Sequence, residues 1–275
     1  MKLDYFTLLC PEPISLSIGT LRQPTLRDIG KLTYPKFGMY QVYLKLTPKD
    51  YYTLLCGDKG AEYWNMLSDE QKSDISIYDI ILLEESIANT YLEIFNFFFM
   101  ERVIFKDNLF FILDTDDYET PPYEIEIDNI MVGRISPKTF ADVIDIIQQI
   151  LCIKSDDPLD EPMPKFKNAK AKRLYERMLK AREKQKKEKA LKDYINLTLP
   201  NIISSTAMKS AGLNIVNIWD ATLFQLYDQF GKAQNDDVHY LNTVRVAVWG
   251  DEDNKFDPSL WYKNLFNKQN DKIDI

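Results

Sequence analysis

SIYDIILLEESIANTYLEIFNFFFM, residues 76–100, is the stretch on which the fold prediction depends. Its apolar side chains recur at spacings of three and four residues, which places them on one face of an α-helix. They are Ile77, Ile80, Ile81, Ile87, Ala88, Tyr91, Ile94, Phe95 and Phe98. We therefore predict one long helix over 76–100 at the centre of an N-terminal domain.

The residues before this helix predict shorter elements. The alternation of Ile14, Leu16 and Ile18 with small polar residues is typical of a short edge strand or an extended arm. Thr25 followed by Asp28 has the spacing of a helix start, and Ser68 with Gln71 forms a capping box. We expect short helices near 25–32 and 35–46, and another after Pro48.

The residues after it change character. Segments 103–105, 109–113, 123–127 and 130–132 are short, rich in aromatic and β-branched residues, and separated by turn-forming residues such as Lys106, Asp107 and Asn108. They predict a small antiparallel β-meander. Ser136 and Pro137 then start a helix whose apolar face includes Phe140, Val143, Ile144, Ile147 and Leu151.

Residues 154–196 form a linker by composition. Three prolines and four acidic residues crowd 156–164, and the segment that follows is almost entirely Ala, Lys, Arg, Glu, Gln and Leu. Residues 165–192 carry 13 basic residues against three glutamates, which leaves 21 basic and 39 acidic residues in the rest of the chain. We predict a basic helical rod between two acidic domains, 1–153 and 197–275.

The C-terminal domain is predicted to be small and helical. One helix contains Ile202 and Ile203 and ends at Gly212; the others span about 215–230 and 235–248, and a last turn covers 258–266. The fold class predicted for the chain is mainly α (α+β): a helical domain with a small antiparallel sheet, a charged helical linker and a small helical domain.

Composition limits the function classes. The chain has 275 residues, 45% of them hydrophobic, and a net charge of −8, which disfavours a protein built around nucleic acid. Cys10, Cys56 and Cys152 are odd in number and widely spaced, as in a reducing cytosol. No apolar run has the length of a signal peptide or a membrane span, so we expect a soluble protein without membrane contact.

Motifs for catalysis are missing from the sequence. His239 is the single histidine, which is too few for a usual zinc site. Any Ser/His/Asp or Cys/His nucleophile would have to use it as the base, and no GxSxG elbow lies nearby. Counting from Asp114, the EF-hand positions for glycine and bidentate glutamate hold Glu119 and Ile125. No glycine-rich phosphate loop occurs. We expect no enzyme activity, no catalytic or metal-binding residue and no cofactor.

Two surfaces are candidates for binding a partner. The first is the basic rod, represented by Lys170, Lys172, Arg173, Arg177, Lys180, Arg182, Lys184, Lys186 and Lys187. It could dock on an acidic partner, stay solvated, or bind phosphates, although nucleic acid is disfavoured. The second is aromatic: Trp219, Leu223, Phe224, Tyr227, Phe230, Trp249 and Trp261. These residues form the core of the small domain alone, or a core together with an exposed patch.

Both ends of the chain resemble a known group of proteins. The segments YFTLLCPEPISL (5–16), GTLRQPTLRDI (19–29), LNIVNIWDATLFQLYDQF (213–230) and VAVWGD (246–251) carry this resemblance. The chain is similar to proteins encoded in tail gene clusters of bacteriophages and prophages of Gram-positive bacteria.

The resemblance implies a tail or baseplate assembly chaperone in the host bacterial cytoplasm. Its partners would be phage tail proteins, a tape-measure or hub component held soluble until the tail tube assembles. The group has no catalytic residues to carry over. Two other hypotheses remain open: a structural virion protein of the baseplate or tail end, and a nucleic-acid-associated protein that uses the basic rod.

Overall fold

The computed structural model describes residues 1–153, 197–251, 255–264 and 266, which group into two compact units. The first unit contains 1–153 together with 220–224, and the second contains the other described residues. The fold is mainly helical with small antiparallel sheets, as predicted. None of the described helices is long and apolar enough to cross a membrane.

The first unit contains most of the helices and all the described strands. Its helices are α1 (Tyr5–Leu9), α2 (Leu26–Leu32), α3 (Tyr34–Leu44), α4 (Pro48–Asp50), α5 (Gly57–Met66), α6 (Asp69–Asp74), α7 (Ile77–Leu83), α8 (Glu85–Phe98) and α9 (Pro137–Ile150). A π-helical turn, Tyr51–Leu55, lies between α4 and α5. The predicted capping boxes at Thr25 and Ser68 are both present.

Two antiparallel sheets complete this unit. Strands β1 (Ile14–Leu16) and β2 (Gly19–Leu21) form a hairpin from the segment predicted as an edge strand or arm. Strands β3 (Arg102–Lys106), β4 (Leu109–Leu113) and β5 (Met131–Ile135) form a meander in that order. The turn between β3 and β4 places Asp107 and Asn108 in the left-handed region, as a two-residue hairpin requires.

The prediction of one helix over 76–100 is wrong in its continuity. Glu84 has extended backbone angles and separates α7 from α8. The buried residues Ile81 and Ile87 are six positions apart, so one continuous helix would turn Glu84 and Glu85 towards the core. The break keeps both carboxylates exposed and restores the apolar face from Ile87 onwards.

The predicted strand 123–127 is also wrong. A 3-10 turn, Pro122–Glu124, stands there, and the meander has three strands. Pro122 is the first residue of this turn, and proline fixes φ at about −65°, a value that suits a 3-10 helix.

The second unit contains α10 (Leu199–Lys209), the part of α11 (Leu223–Trp249) from residue 225 onwards, and a 3-10 turn at Leu260–Tyr262. The two predicted helices 215–230 and 235–248 are therefore one helix that starts later. Asn214 and Asn217 hold the preceding residues in a turn, because the Asn214 side chain accepts from the Val216 amide at 2.9 Å and Asn217 Oδ1 accepts from the Asn214 amide at 2.7 Å. Gly231 lies within α11 without ending it.

The core of the first unit lies between α7, α8, α9 and the meander. Rings from these elements meet there: Phe95 lies 5.1 Å from Phe110, and Phe140 lies 5.2 Å from Tyr78 and 5.7 Å from Tyr91, between centroids. The Tyr78 hydroxyl donates to the Ile135 carbonyl at 2.6 Å. Aromatic packing of this kind adds specific geometry to the burial of apolar area.

Residues 220–224 complete the first unit from far along the chain. The Leu26 amide donates to the Ala221 carbonyl at 2.9 Å, and Thr25 forms an isolated antiparallel bridge with Thr222. The first turn of α2 is thus supplied with a backbone acceptor from a remote segment.

Candidate protein-binding surface

Helix α11 has one side covered by its own unit. Lys232, Asn235 and His239 lie three and four residues apart and so share a face. Lys232 Nζ donates to the Lys263 carbonyl, Asn235 Nδ2 donates to the Leu260 carbonyl at 3.4 Å, and the His239 ring lies 5.7 Å from that of Phe256. The segment 255–263 therefore packs along this side of the helix.

The opposite side of α11 exposes apolar side chains. At 100° per residue, Leu241, Val244 and Val248 fall on the side away from Lys232, Asn235 and His239, and Tyr240 lies at the edge of that side. All four are exposed, with Val248 at 64%. We call these four residues the α11 stripe.

The stripe begins one helical turn beyond an ion pair. Lys209, the last residue of α10, contacts Asp237 on this same side of α11. Both side chains are about half exposed, so the pair contributes little to stability. It marks where α10 ends beside the helix, and the apolar residues follow from Tyr240 onwards.

The seven residues of the second candidate surface, six of them aromatic, lie in different environments. Leu223 and Phe224 are buried within the first unit, where the Phe224 ring lies 6.1 Å from that of Tyr5. Because they are buried, they serve packing and are not exposed to a partner. Tyr227 and Phe230 are half-buried.

The three tryptophans of the set differ from one another. Trp219 is half-buried, and its indole nitrogen donates to the Ile215 carbonyl at 3.0 Å. Trp249 ends α11 and is 75% exposed. Trp261 is 54% exposed and lies 5.1 Å from the ring of Tyr262. Of the seven predicted residues, Trp249 and Trp261 are the exposed ones.

Sequence reasoning missed the α11 stripe. Its signal was present, since Tyr240, Val244 and Val248 recur at intervals of four. The prediction selected residues in the part of the sequence richest in aromatic side chains, which includes Leu223 and Phe224. It also treated 235–248 as a separate helix. The basic rod, Lys170 to Lys187, lies outside the described residues.

The acidic loop that follows β4 is held in place by hydrogen bonds to other residues of the chain. The Asp117 carboxylate accepts from the Glu119 and Thr120 amides at 3.0 Å each. A hydrogen bond from the Thr120 side chain, followed by those from the two amides, holds the pKa of Asp117 below its ordinary value. Arg102 donates to the carbonyls of Asp117 and Thr120. Within the described residues, no group of three or more His, Cys, Asp and Glu side chains could hold a metal ion.

Comparison with known proteins gives a match to a protein family. Residues 184–266 match the family described as the YomV second domain, a range that covers less than half of the chain. YomV is encoded by a Bacillus phage or prophage. The match includes the α11 stripe, Trp249 and Trp261, and it links this part of the chain to a phage-encoded protein. No curated protein and no solved structure matched the chain.

Proposed function

We propose that this chain is a non-catalytic, protein-binding factor of a bacteriophage that acts in tail or baseplate assembly. The α11 stripe is the observation that carries the proposal. Exposed apolar side chains at helical spacing are suited to the apolar face of another helix, and the stripe lies within the range similar to the YomV second domain.

The proposed client is an apolar helical segment of a tape-measure or hub component. From Tyr240 to Val248 the stripe runs about 12 Å along the helix, enough to contact two turns of a partner helix. Trp249 and Trp261 are also exposed and offer large rings for such an interface. Covering a client in this way would keep it soluble until the tube subunits assemble around it.

The test compares two matched valine variants. Val248 lies in the last turn of α11 and is 64% exposed, and Val42 lies in the last turn of α3 and is 62% exposed. We would purify tagged wild type, Val248→Asp and Val42→Asp from phage-producing cells and quantify co-purified tail proteins. A buried unpaired carboxylate costs more than about 1.4 kcal/mol, so Val248→Asp should lower client recovery at least about tenfold, and Val42→Asp should not.

Purified particles supply the second readout. Absence of the chain from particles, together with client recovery that depends on Val248, supports an assembly factor. Stoichiometric presence in particles would make the chain a structural virion component. Recovery unchanged by Val248→Asp would reject the α11 stripe as the binding surface, and DNA binding with a steep salt dependence would favour a nucleic-acid role for the basic rod.

A further inference from the structure

A second surface of apolar side chains lies in the first unit. Residues 45–77, all of which the structure describes, contribute no buried hydrophobic side chain, although they include α4, α5, α6 and the π-helical turn. Several of their apolar side chains are largely exposed instead. We use the name α5 surface for Leu54, Leu55, Tyr63 and Met66 together with Leu83.

These residues are connected by contacts beneath them. The Tyr52 ring stacks on Trp64 with centroids 5.6 Å apart and lies 5.3 Å from Tyr63. The Tyr51 hydroxyl lies 3.1 Å from Oε1 of Glu84, the residue after Leu83, which brings the α7–α8 break beside the π-helical turn. The ring contacts join α5 to the π-helical turn, and the Tyr51–Glu84 contact places the end of α7 next to that turn.

The support for this surface is closely packed. A Cβ atom at Gly60 would lie 2.3 Å from the Tyr52 carbonyl oxygen and 2.3 Å from Cys56 Cβ, so α5 approaches the π-helical turn at a distance that only glycine permits. Lys72 Nζ lies 6.0 Å from the Trp64 ring centroid. The exposed apolar side chains therefore lie next to a packed cluster of aromatic rings.

Charge identifies the chemistry of the partner. Residues 49–85 contain nine acidic and three basic side chains, and Asp58, Glu62 and Glu84 among them are exposed. Exposed apolar side chains in so acidic a segment favour a positively charged partner over an acidic one.

We propose that the α5 surface binds an amphipathic helix of another protein whose apolar face is flanked by lysine or arginine. Leu54, Leu55, Tyr63, Met66 and Leu83 contact the apolar face of that helix, and the surrounding carboxylates pair with its basic residues. The proposal does not depend on the function proposed for α11, because it uses different residues in a different unit.

The experiment measures binding of labelled peptides to the full chain by fluorescence anisotropy. The probes are a helical peptide of about 18 residues made of leucine and lysine and its leucine–glutamate counterpart. We expect the lysine peptide to bind, the glutamate peptide to bind at least about tenfold more weakly, and added salt to weaken the lysine complex.

Two methionine variants locate the site. Met66→Asp should weaken binding of the lysine peptide at least about tenfold, because a carboxylate would be buried under the apolar face of the peptide. Met208 is exposed to a similar extent in the second unit, 84% against 81%, and Met208→Asp should leave binding unchanged. A loss of binding in Val248→Asp but not in Met66→Asp would place the peptide on the α11 stripe and overturn the proposal, which separates this result from the test of the α11 stripe.

The proposal would be overturned if the lysine peptide did not bind, if both peptides bound equally, or if the two methionine variants had equal effects. It would also be overturned if the Met66→Asp variant had a lower molecular mass in solution than wild type. The last would assign the surface to a second copy of this chain. A peptide of residues 165–192 that bound more tightly than the leucine–lysine peptide would assign it to the chain's own basic segment.

Discussion

Arg27 and Asp220 are 193 positions apart in the chain, yet the guanidinium donates two hydrogen bonds to one carboxylate oxygen, at 3.0 Å from Nε and 2.7 Å from Nη2. The pair lies beside the backbone contact between Leu26 and Ala221, where residues 220–224 complete the first unit. Both side chains are more than half exposed, so solvent screens their attraction.

The Arg27–Asp220 pair should therefore contribute little to stability. In a double-mutant cycle with Arg27→Ala and Asp220→Ala, we expect a coupling free energy below about 1 kcal/mol. Urea denaturation of the four proteins measures it, and added salt should reduce it further. A coupling above about 2 kcal/mol would mean that the pair holds the segment in place.

Leu223 should matter much more, because it is buried within the first unit. We expect Leu223→Ala to lower the free energy of unfolding by about 2–5 kcal/mol through lost burial and a cavity. Leu83→Ala is the matched control, since Leu83 is largely exposed, and should change stability by less than about 0.5 kcal/mol. Faster hydrogen exchange at the Leu26 amide in Leu223→Ala would tie the loss to this segment; equal stability of the two variants would contradict its role.

Gly133 should not tolerate a side chain. A Cβ atom there would lie 2.6 Å from the Ile18 carbonyl oxygen and Cα, where β5 passes the turn of the β1–β2 hairpin. We expect Gly133→Ala to destabilise the protein by about 1–3 kcal/mol.

Gly38 provides the matched comparison for Gly133. It lies in α3, and a Cβ atom added there would have no neighbouring atom within 4 Å, so Gly38→Ala should stabilise by about 0.5–1 kcal/mol. Thermal unfolding of both variants checks the pair. If Gly133→Ala and Gly38→Ala shifted the unfolding temperature in the same direction, one of the two expectations would be wrong: the close contact at Gly133 or the gain in helix propensity at Gly38.

Thr33 is strained between α2 and α3. Its φ of 81° and ψ of 144° lie in a region that residues with a Cβ atom seldom adopt. Thr33→Gly should raise the free energy of unfolding by about 1 kcal/mol. Thr90→Gly, within α8, should lower it by a few tenths of a kcal/mol or more. A loss of stability in Thr33→Gly would show that the junction is not strained.

The capping box of α2 should make stability depend on pH in acid. Burial tends to raise the pKa of Asp28, but hydrogen bonds from the Thr25 amide and hydroxyl, with Arg22 and Lys31 nearby, outweigh it and hold the pKa below 3.8. Because the folded-state pKa is the lower one, ionised Asp28 stabilises the fold above pH 3.8. This contribution is lost as the pH falls through the folded-state pKa.

Asp28→Asn should therefore be less stable than wild type at neutral pH, and the difference should shrink as the pH falls below about 4. Urea denaturation at a series of pH values measures both curves. The same substitution at the exposed residue Asp236 is the matched control for the loss of one surface carboxylate. A constant difference between Asp28→Asn and wild type across this range would contradict the assignment.

Local signals in the sequence were reliable where contacts are local. The capping boxes at Thr25 and Ser68, the hairpin turn at Asp107 and Asn108, and the start of α9 at Ser136 each depend on residues within four positions of one another. The apolar spacing before and after Glu84 also identified both α7 and α8, though it did not reveal the break between them.

The candidate site could be predicted only in part. Trp249 and Trp261 were identified and are exposed, whereas Leu223 and Phe224 belong to the core of the first unit. An apolar side chain looks the same in sequence whether it is covered or exposed, because burial depends on what packs over it. Tyr240, Val244 and Val248 have helical spacing in the sequence. They face solvent because segment 255–263 packs on a different side of α11.

The sequence by itself determined a mainly helical chain with a small antiparallel sheet, since helix caps, turn residues and apolar periodicity act over a few residues. Tertiary structure alone decided that residues 220–224 complete the first unit and that the faces of α5 and α11 stay uncovered. Those outcomes depend on contacts between positions far apart in the chain, such as Leu26 with Ala221 and Asn235 with Leu260, and no local pattern encodes which remote segment will supply a partner.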